Sequence, residues 1–161
     1  MLDSNVEQLL RKIIDAPSNH CFVCSKINPL GLQMRFEQRD GIVSSRFIPG
    51  TWHEGWQAVV HGGVLAAILD EAMAYTLFFN GQQGVTAKME VRYRAAVLPA
   101  DILDVEAWVS RDTRRLVSTE ARIMRAGKIV AEAVGTYLKQ AMINVSMADP
   151  DPGPTASERV G

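Results

Sequence analysis

The stretch best equipped for chemistry is Val60 to Thr76, VHGGVLAAILDEAMAYT. His61, Gly62 and Gly63 open it, and two acids, Asp70 and Glu71, stand side by side in its middle. The rest is almost entirely apolar, so the segment reads as a helix whose first amides have no partner within it. Those amides and the positive end of the helix dipole attract an anion or oxyanion, and glycines let a ligand approach the backbone closely. Asp70 has Ala66, Ala67, Met73 and Ala74 three and four residues away, which leaves space beside its carboxylate. Burying that charge without a partner costs several kcal/mol, so Asp70 must be neutral, paired or facing a wet pocket. Glu71 lies about 100° further round and can face elsewhere. An oxyanion donor followed by a carboxylate suits acyl transfer. A core helix with a Gly-Gly start and one acid in an ion pair explains the same residues equally well.

The elements around this helix must hold it. Val6, Leu9, Leu10, Ile13 and Ile14 recur at helical spacing and predict an amphipathic N-terminal helix, with Asp3 or Ser4 as its cap. Pro17 to Pro29 reads as a loop. Leu32, Met34 and Phe36 alternate with polar residues as in a strand, and Asp40-Gly41 signals a hairpin into Ile42–Ile48. A loop carrying Trp52, His53 and Trp56 leads into the central helix, expected to run to about Phe79. Further strands are predicted over Val85–Tyr93, Ile102–Ser110, Leu116–Arg125 and Ile129–Lys139, joined by short polar turns. Short connections favour an antiparallel sheet. A helix apolar on every side must be covered on every side, which one sheet achieves only by curling around it. The expected fold class is therefore α+β, with a long central helix wrapped by a curved antiparallel sheet of about five to six strands, plus the N-terminal helix. Residues 1–19 are expected to form that helix and a linker, 20–141 the functional domain, and 142–161 a proline-rich disordered tail.

Composition removes several classes of function. The net charge is −1, so no global basic field recruits nucleic acid or anionic membrane. Met1–Asp15 carries Asp3, Glu7, Arg11 and Lys12 where a signal peptide would be apolar, and no apolar run reaches a span's length. A reducing cytoplasm with free thiols is expected for the two cysteines. Cys21 and Cys24 have C-x2-C spacing without a second pair, so the default is a packed loop, with no metal and no cofactor expected.

VHGGVLAAILDEAMAY, with VTAKMEVRYRAAVLPAD, GKIVAEAVGTYLKQ and the upstream CFVCSKINPLGLQMRF, resembles the hotdog-fold thioesterases of the phenylacetate-pathway type within the 4-hydroxybenzoyl-CoA thioesterase superfamily. The resemblance covers roughly Cys21 to Gln140, and its most specific part is the His-Gly-Gly with an acid nine residues after the histidine. It implies hydrolysis of acyl-CoA thioesters by a homodimer or homotetramer with sites between subunits. Asp70 would be general base or nucleophile, and the Gly62 amide would polarise the thioester carbonyl. His61 would shape the loop or bind near the thioester, Gly63 would border it, and Thr86 would position water or substrate. Regular alternation places Thr86 on the face of Lys88 and Glu90, so a bulge or strand end must turn it inward. Some relatives carry an Asn before the His-Gly-Gly loop; Gly55 and Trp56 stand in that region here, and His53 or Gln57 would have to supply the polar group. Trp52 and Trp56 are candidates to line an acyl pocket. Arg92, Arg94 and Arg114 are candidates for CoA phosphates, since Arg pairs with phosphate bidentately. Two other classes fit the same chain: a non-catalytic acyl-CoA sensor, and a dehydratase needing a catalytic histidine from His20, His53 or His61.

Overall fold

The structure, a computed structural model, describes residues 12, 15, 16 and 19–140. The predicted N-terminal helix and the C-terminal tail lie outside the described residues. The described elements are strands β1 (Glu37–Arg39), β2 (Ile42–Phe47), β3 (Glu54–Trp56) and β4 (Val59–Val60), helix α1 (Gly62–Phe79), then β5 (Gln83–Tyr93), β6 (Leu103–Asp112), β7 (Leu116–Arg125) and β8 (Lys128–Gln140). A 3-10 turn, Thr51–His53, precedes β3. Six strands make one antiparallel sheet in the order β1-β2-β6-β7-β8-β5, and β3 and β4 form a separate hairpin beside the helix start.

The turns explain the register. Asp40 and Gly41 both have positive φ, 52° and 80°, the two-residue geometry whose twist matches antiparallel strands. Ala126 and Gly127 repeat it between β7 and β8, with φ of 49° and 76°. α1 packs against β2, β5, β6, β7 and β8. Ile68, Leu69, Met73 and Leu77 are fully buried there, each burial contributing about 1.5–3 kcal/mol. The helix is long and apolar enough by composition to cross a membrane, but these contacts make it the core of the sheet.

Two expectations are corrected. Residues 32–36 do not join the sheet, although Met34 and Phe36 are buried as their alternation predicts. Leu32 and Met34 instead donate to the carbonyls of Phe22 and Val23, both at 2.8 Å, and tie the cysteine loop to the body of the protein. Phe36 then stacks on Tyr75 of α1, ring centroids 4.5 Å apart. Nor is α1 covered all round within one chain. Ala66, Ala67, Asp70 and Ala74 form a half-exposed stripe of small residues and one acid.

Candidate active site

β5 reaches Asp70 through an irregularity. Thr86 pairs with Tyr137 and Lys88 with Thr136, which leaves Ala87 as an extra residue in the strand. This bulge reverses the side-chain alternation and turns Thr86 to the helix side. Its Oγ1 donates to Asp70 Oδ1 at 2.9 Å. The Tyr137 hydroxyl lies 2.7 Å from the same oxygen and 2.9 Å from the Asp70 backbone carbonyl. Burial, then the bond to Asp70, pushes the Tyr137 phenol well above its ordinary range, so it stays a donor. Oδ1 is thus held by two hydroxyls, and Oδ2 has no hydrogen-bond partner among the described residues. Asp70 takes part in no ion pair there. Its carboxylate is aimed, half-exposed, and half unsatisfied.

Tyr137 escaped the sequence reading. Two residues earlier, Gly135 supplies its space: a Cβ there would stand 3.0 Å from both the Tyr137 ring and Met73 Sδ. A buried tyrosine needs a partner for its hydroxyl, and that requirement points to a polar group on α1 once the strand's inward face is known.

The helix start is built as a second unit. His61 is the N-cap, and its Nδ1 accepts from the Gly63 amide at 2.8 Å. Its carbonyl accepts from the amides of Val64 and Leu65, at 3.0 and 3.4 Å. The Gly62 amide is the one in this first turn without an acceptor among the described residues. Gly63 borders the site, but its amide is already engaged. His53 holds the loop: its Nδ1 accepts from Gly50 at 2.8 Å, its ring lies edge-on to Phe47, and its carbonyl accepts the His61 amide. Gly55 must be glycine, because a Cβ would stand 2.5 Å from the His61 ring and 2.9 Å from its Cα. Tyr93, at the far end of β5, donates to the Gly62 carbonyl at 2.8 Å. A cleft of ≈ 420 Å³ opens here, lined by Gly62, Leu65, Tyr93 and Val97, and not by Asp70.

The remaining candidates are scattered. Trp56 is 80% exposed on the β3–β4 hairpin, and Trp52 is more exposed still. Arg92 borders a groove with Trp108, Arg122 and Glu132 on the sheet face away from α1. Arg94 pairs with Glu132 at 2.5 Å, and Arg114 stands exposed in the β6–β7 turn.

Glu71 points the other way from Asp70, into the loop that carries the cysteines. Its Oε1 lies 3.4 Å from Cys21 Sγ. Burial lifts its carboxyl to about 7. The hydrogen bond from Cys24, helped by backbone amides, draws Cys21 down to about 5, and the same coupling together with burial pushes Cys24 up. Asp70 and Glu71 are consecutive, yet one is clasped by hydroxyls and the other by thiols.

Residues 57–132 match the family model described as the thioesterase superfamily. Over 96 residues the chain is 30% identical to the human acyl-coenzyme A thioesterase THEM5, covering 58% of this chain but only 38% of that protein. The chain therefore spans well under half the length of this curated relative. Among solved structures it resembles a hypothetical thioesterase with coenzyme A from Streptococcus pneumoniae TIGR4, TM-score 0.64 and 22% identity over 67% of this chain and 89% of that one. That protein has also been solved with an aspartate, and with a threonine sixteen residues later, replaced by alanine. The PaaI protein of the Escherichia coli phenylacetic acid degradation operon gives TM-score 0.63 and 20% identity over 66% of this chain and 83% of its own. The fold is the hotdog fold shared with these solved structures.

Proposed function

We propose that this chain hydrolyses acyl-CoA thioesters, at a site that two copies of it complete. The observation that carries this reading is the arrangement of Asp70. Thr86 and Tyr137 fix one carboxylate oxygen and leave the other directed at open space. Held this way, Asp70 acts as general base on water or attacks the thioester carbonyl itself. The carbonyl oxygen gains negative charge as the tetrahedral intermediate forms, and the Gly62 amide is the donor built to receive it. His61 serves by occupying the Gly63 amide and fixing the turn. The THEM5 name, the coenzyme A in the pneumococcal neighbour and its replaced aspartate and threonine, spaced like Asp70 and Thr86, support this choice of chemistry.

The spacing along α1 supports a second copy at the site. Gly62 and Asp70 are eight residues apart on one helix, so they stand about 12 Å apart along its axis. One thioester carbonyl cannot touch both. Two helices packed antiparallel through the half-exposed Ala66–Ala74 stripe bring the Gly62 of each beside the Asp70 of the other. A two-fold axis then produces two equal sites. The exposed outer edge of β5 is free to pair across the same interface. Homodimers or homotetramers in a reducing cytoplasm, with acyl-CoA as the ligand, are the state we propose. Gly63, His53 and Trp56 would border the acyl group, and Arg92 and Arg114 are the cations offered to CoA phosphates.

The dehydratase reading gains nothing here, because the Nδ1 atoms of His61 and His53 both accept loop amides. The deciding experiment follows free CoA thiol from a panel of aryl and fatty acyl-CoAs. Turnover by the parent chain is expected, with Asp70→Asn and Gly62→Pro each inactive. Mixing those two variants after subunit exchange should restore up to roughly a quarter of parental activity, since half the dimers then hold one intact site. No turnover across the panel would overturn the assignment, and no restoration would overturn the shared site.

A further inference from the structure

Cys21, Cys24 and Glu71 offer three ligand atoms within 4.8 Å of one another, on the side of α1 turned away from Thr86 and Tyr137. We propose that this cluster binds one zinc ion per chain, with Cys21 Sγ, Cys24 Sγ and a Glu71 carboxylate oxygen as ligands and solvent in the fourth position. The C-x2-C pair lacks a sequence partner; folding supplies the third ligand from a helix 47 residues after Cys24.

The spacing suits a tetrahedral ion. Zinc–sulfur and zinc–oxygen distances of about 2.3 and 2.1 Å place neighbouring S and O ligands about 3.6 Å apart at a tetrahedral angle. Cys21 Sγ and Glu71 Oε1 already lie 3.4 Å apart. Thiolates select a soft or borderline cation over magnesium or calcium, and two thiolates with one carboxylate are a zinc set.

The loop is shaped as a thiolate turn. The amides of Val23 and Cys24 both point at Cys21 Sγ, at 3.3 and 3.5 Å. The Asn19 side chain fixes both ends, its oxygen accepting the Cys21 amide at 3.0 Å and its nitrogen 3.9 Å from Cys24 Sγ. Ser25 Oγ, fully buried, donates to the Asn19 carbonyl at 2.5 Å and accepts the amides of Ile27 and Asn28. Arg35 clasps the Cys24 carbonyl at 2.5 Å. Such outer bonds hold ligand atoms in place before an ion arrives. Glu71 has no ion-pair partner among the described residues, and a dication offsets the accumulation of negative charge where three acidic side chains converge. Cys24 is only 5% exposed while Cys21 is more open, so the open coordination position faces solvent through Cys21.

The test is independent of hydrolysis. The full chain, purified reduced and without chelator, should contain one zinc per chain by elemental mass spectrometry. Cobalt(II) titrated into chelator-stripped protein should saturate at one equivalent, with sulfur-to-metal charge transfer and the intense visible bands of four-coordinate cobalt. Cys21→Ser and Cys24→Ser should each abolish the charge-transfer band or cut affinity far below the parent. Buried Cys24 risks misfolding, so Glu71→Gln is the sharper variant, expected to weaken cobalt binding at least about tenfold. Asp70→Asn, one residue away, should bind cobalt as the parent does. Reduced parental protein that takes up neither metal, or a Glu71→Gln chain that binds as tightly as the parent, would overturn the proposal.

Discussion

Asp70 and Glu71 are neighbours in sequence with similar chemistry, yet the fold gives them opposite surroundings. Asp70 looks toward β5 and β8, where two hydroxyls hold one of its oxygens and nothing covers the other. Glu71 looks toward the cysteine loop, half-buried and facing two sulfurs. A rotation of about 100° around the helix axis separates a carboxylate held by hydroxyls from one that faces thiols. What an acid does is decided by which strand or loop it meets, and only slightly by the helix that carries it.

The contrast can be broken experimentally, beginning on the Asp70 side. Asp70→Asn removes the proposed base or nucleophile and should lower kcat for acyl-CoA hydrolysis by about 10²–10⁴-fold, the range general acid–base groups supply. Its melting temperature should stay close to the parent's, because Asn still accepts from Thr86 and Tyr137. Gly62→Pro keeps a residue suited to the first helical position while deleting the amide hydrogen. It should cost about 10²–10³-fold in kcat, as loss of one oxyanion donor does. Tyr93, 3.3 Å from the new Cβ, must shift slightly, so a thermal melt should accompany that assay. Tyr137→Phe strips one donor from a charged acceptor, worth about 1.5–3 kcal/mol, and should reduce kcat about 10–100-fold with KM much less affected.

The Glu71 side should show the smallest effect on turnover and a distinct pH signature. Glu71→Gln should lower kcat by no more than about tenfold, well short of the Asp70 variant. In chelator-stripped protein the parent's carboxyl is raised from 4.5 to about 7, so folding favours its protonated form. The stability it contributes is complete below about pH 4.5 and is lost as pH rises through 7. Denaturant unfolding of parent and Glu71→Gln should therefore diverge across that window, the parent losing up to about 3 kcal/mol relative to the variant. Parallel pH curves would show that Glu71 is solvated after all.

How much of this was readable before folding depends on the range of the interactions involved. The central helix was placed to within a residue by its apolar run and its glycine opening, and the hairpin at Asp40-Gly41 by turn chemistry alone. The Asp70–Thr86 partnership was legible only through the family resemblance. Its mechanism was not, because the Ala87 bulge has no local sequence mark. Tyr137 joins Asp70 across 67 positions, and Cys21 meets Glu71 across 50, distances at which periodicity carries no information. Residues 32–36 misled for a related reason. Alternation reports which side chains are buried, whereas the partner of the backbone, here the cysteine loop, lies outside that pattern.

Ala87 carries a consequence out of proportion to its single methyl group. Beyond it toward the helix, β5 keeps one phase of inward and outward side chains; past it toward Tyr93, the other. Drawing that alanine into regular pairing opposite Tyr137 would preserve every functional group, yet spin Thr86 out to solvent and swing Val85 in over the carboxylate. A site of this shape can thus be disarmed or retuned by the register of one strand, with no change in its chemical inventory.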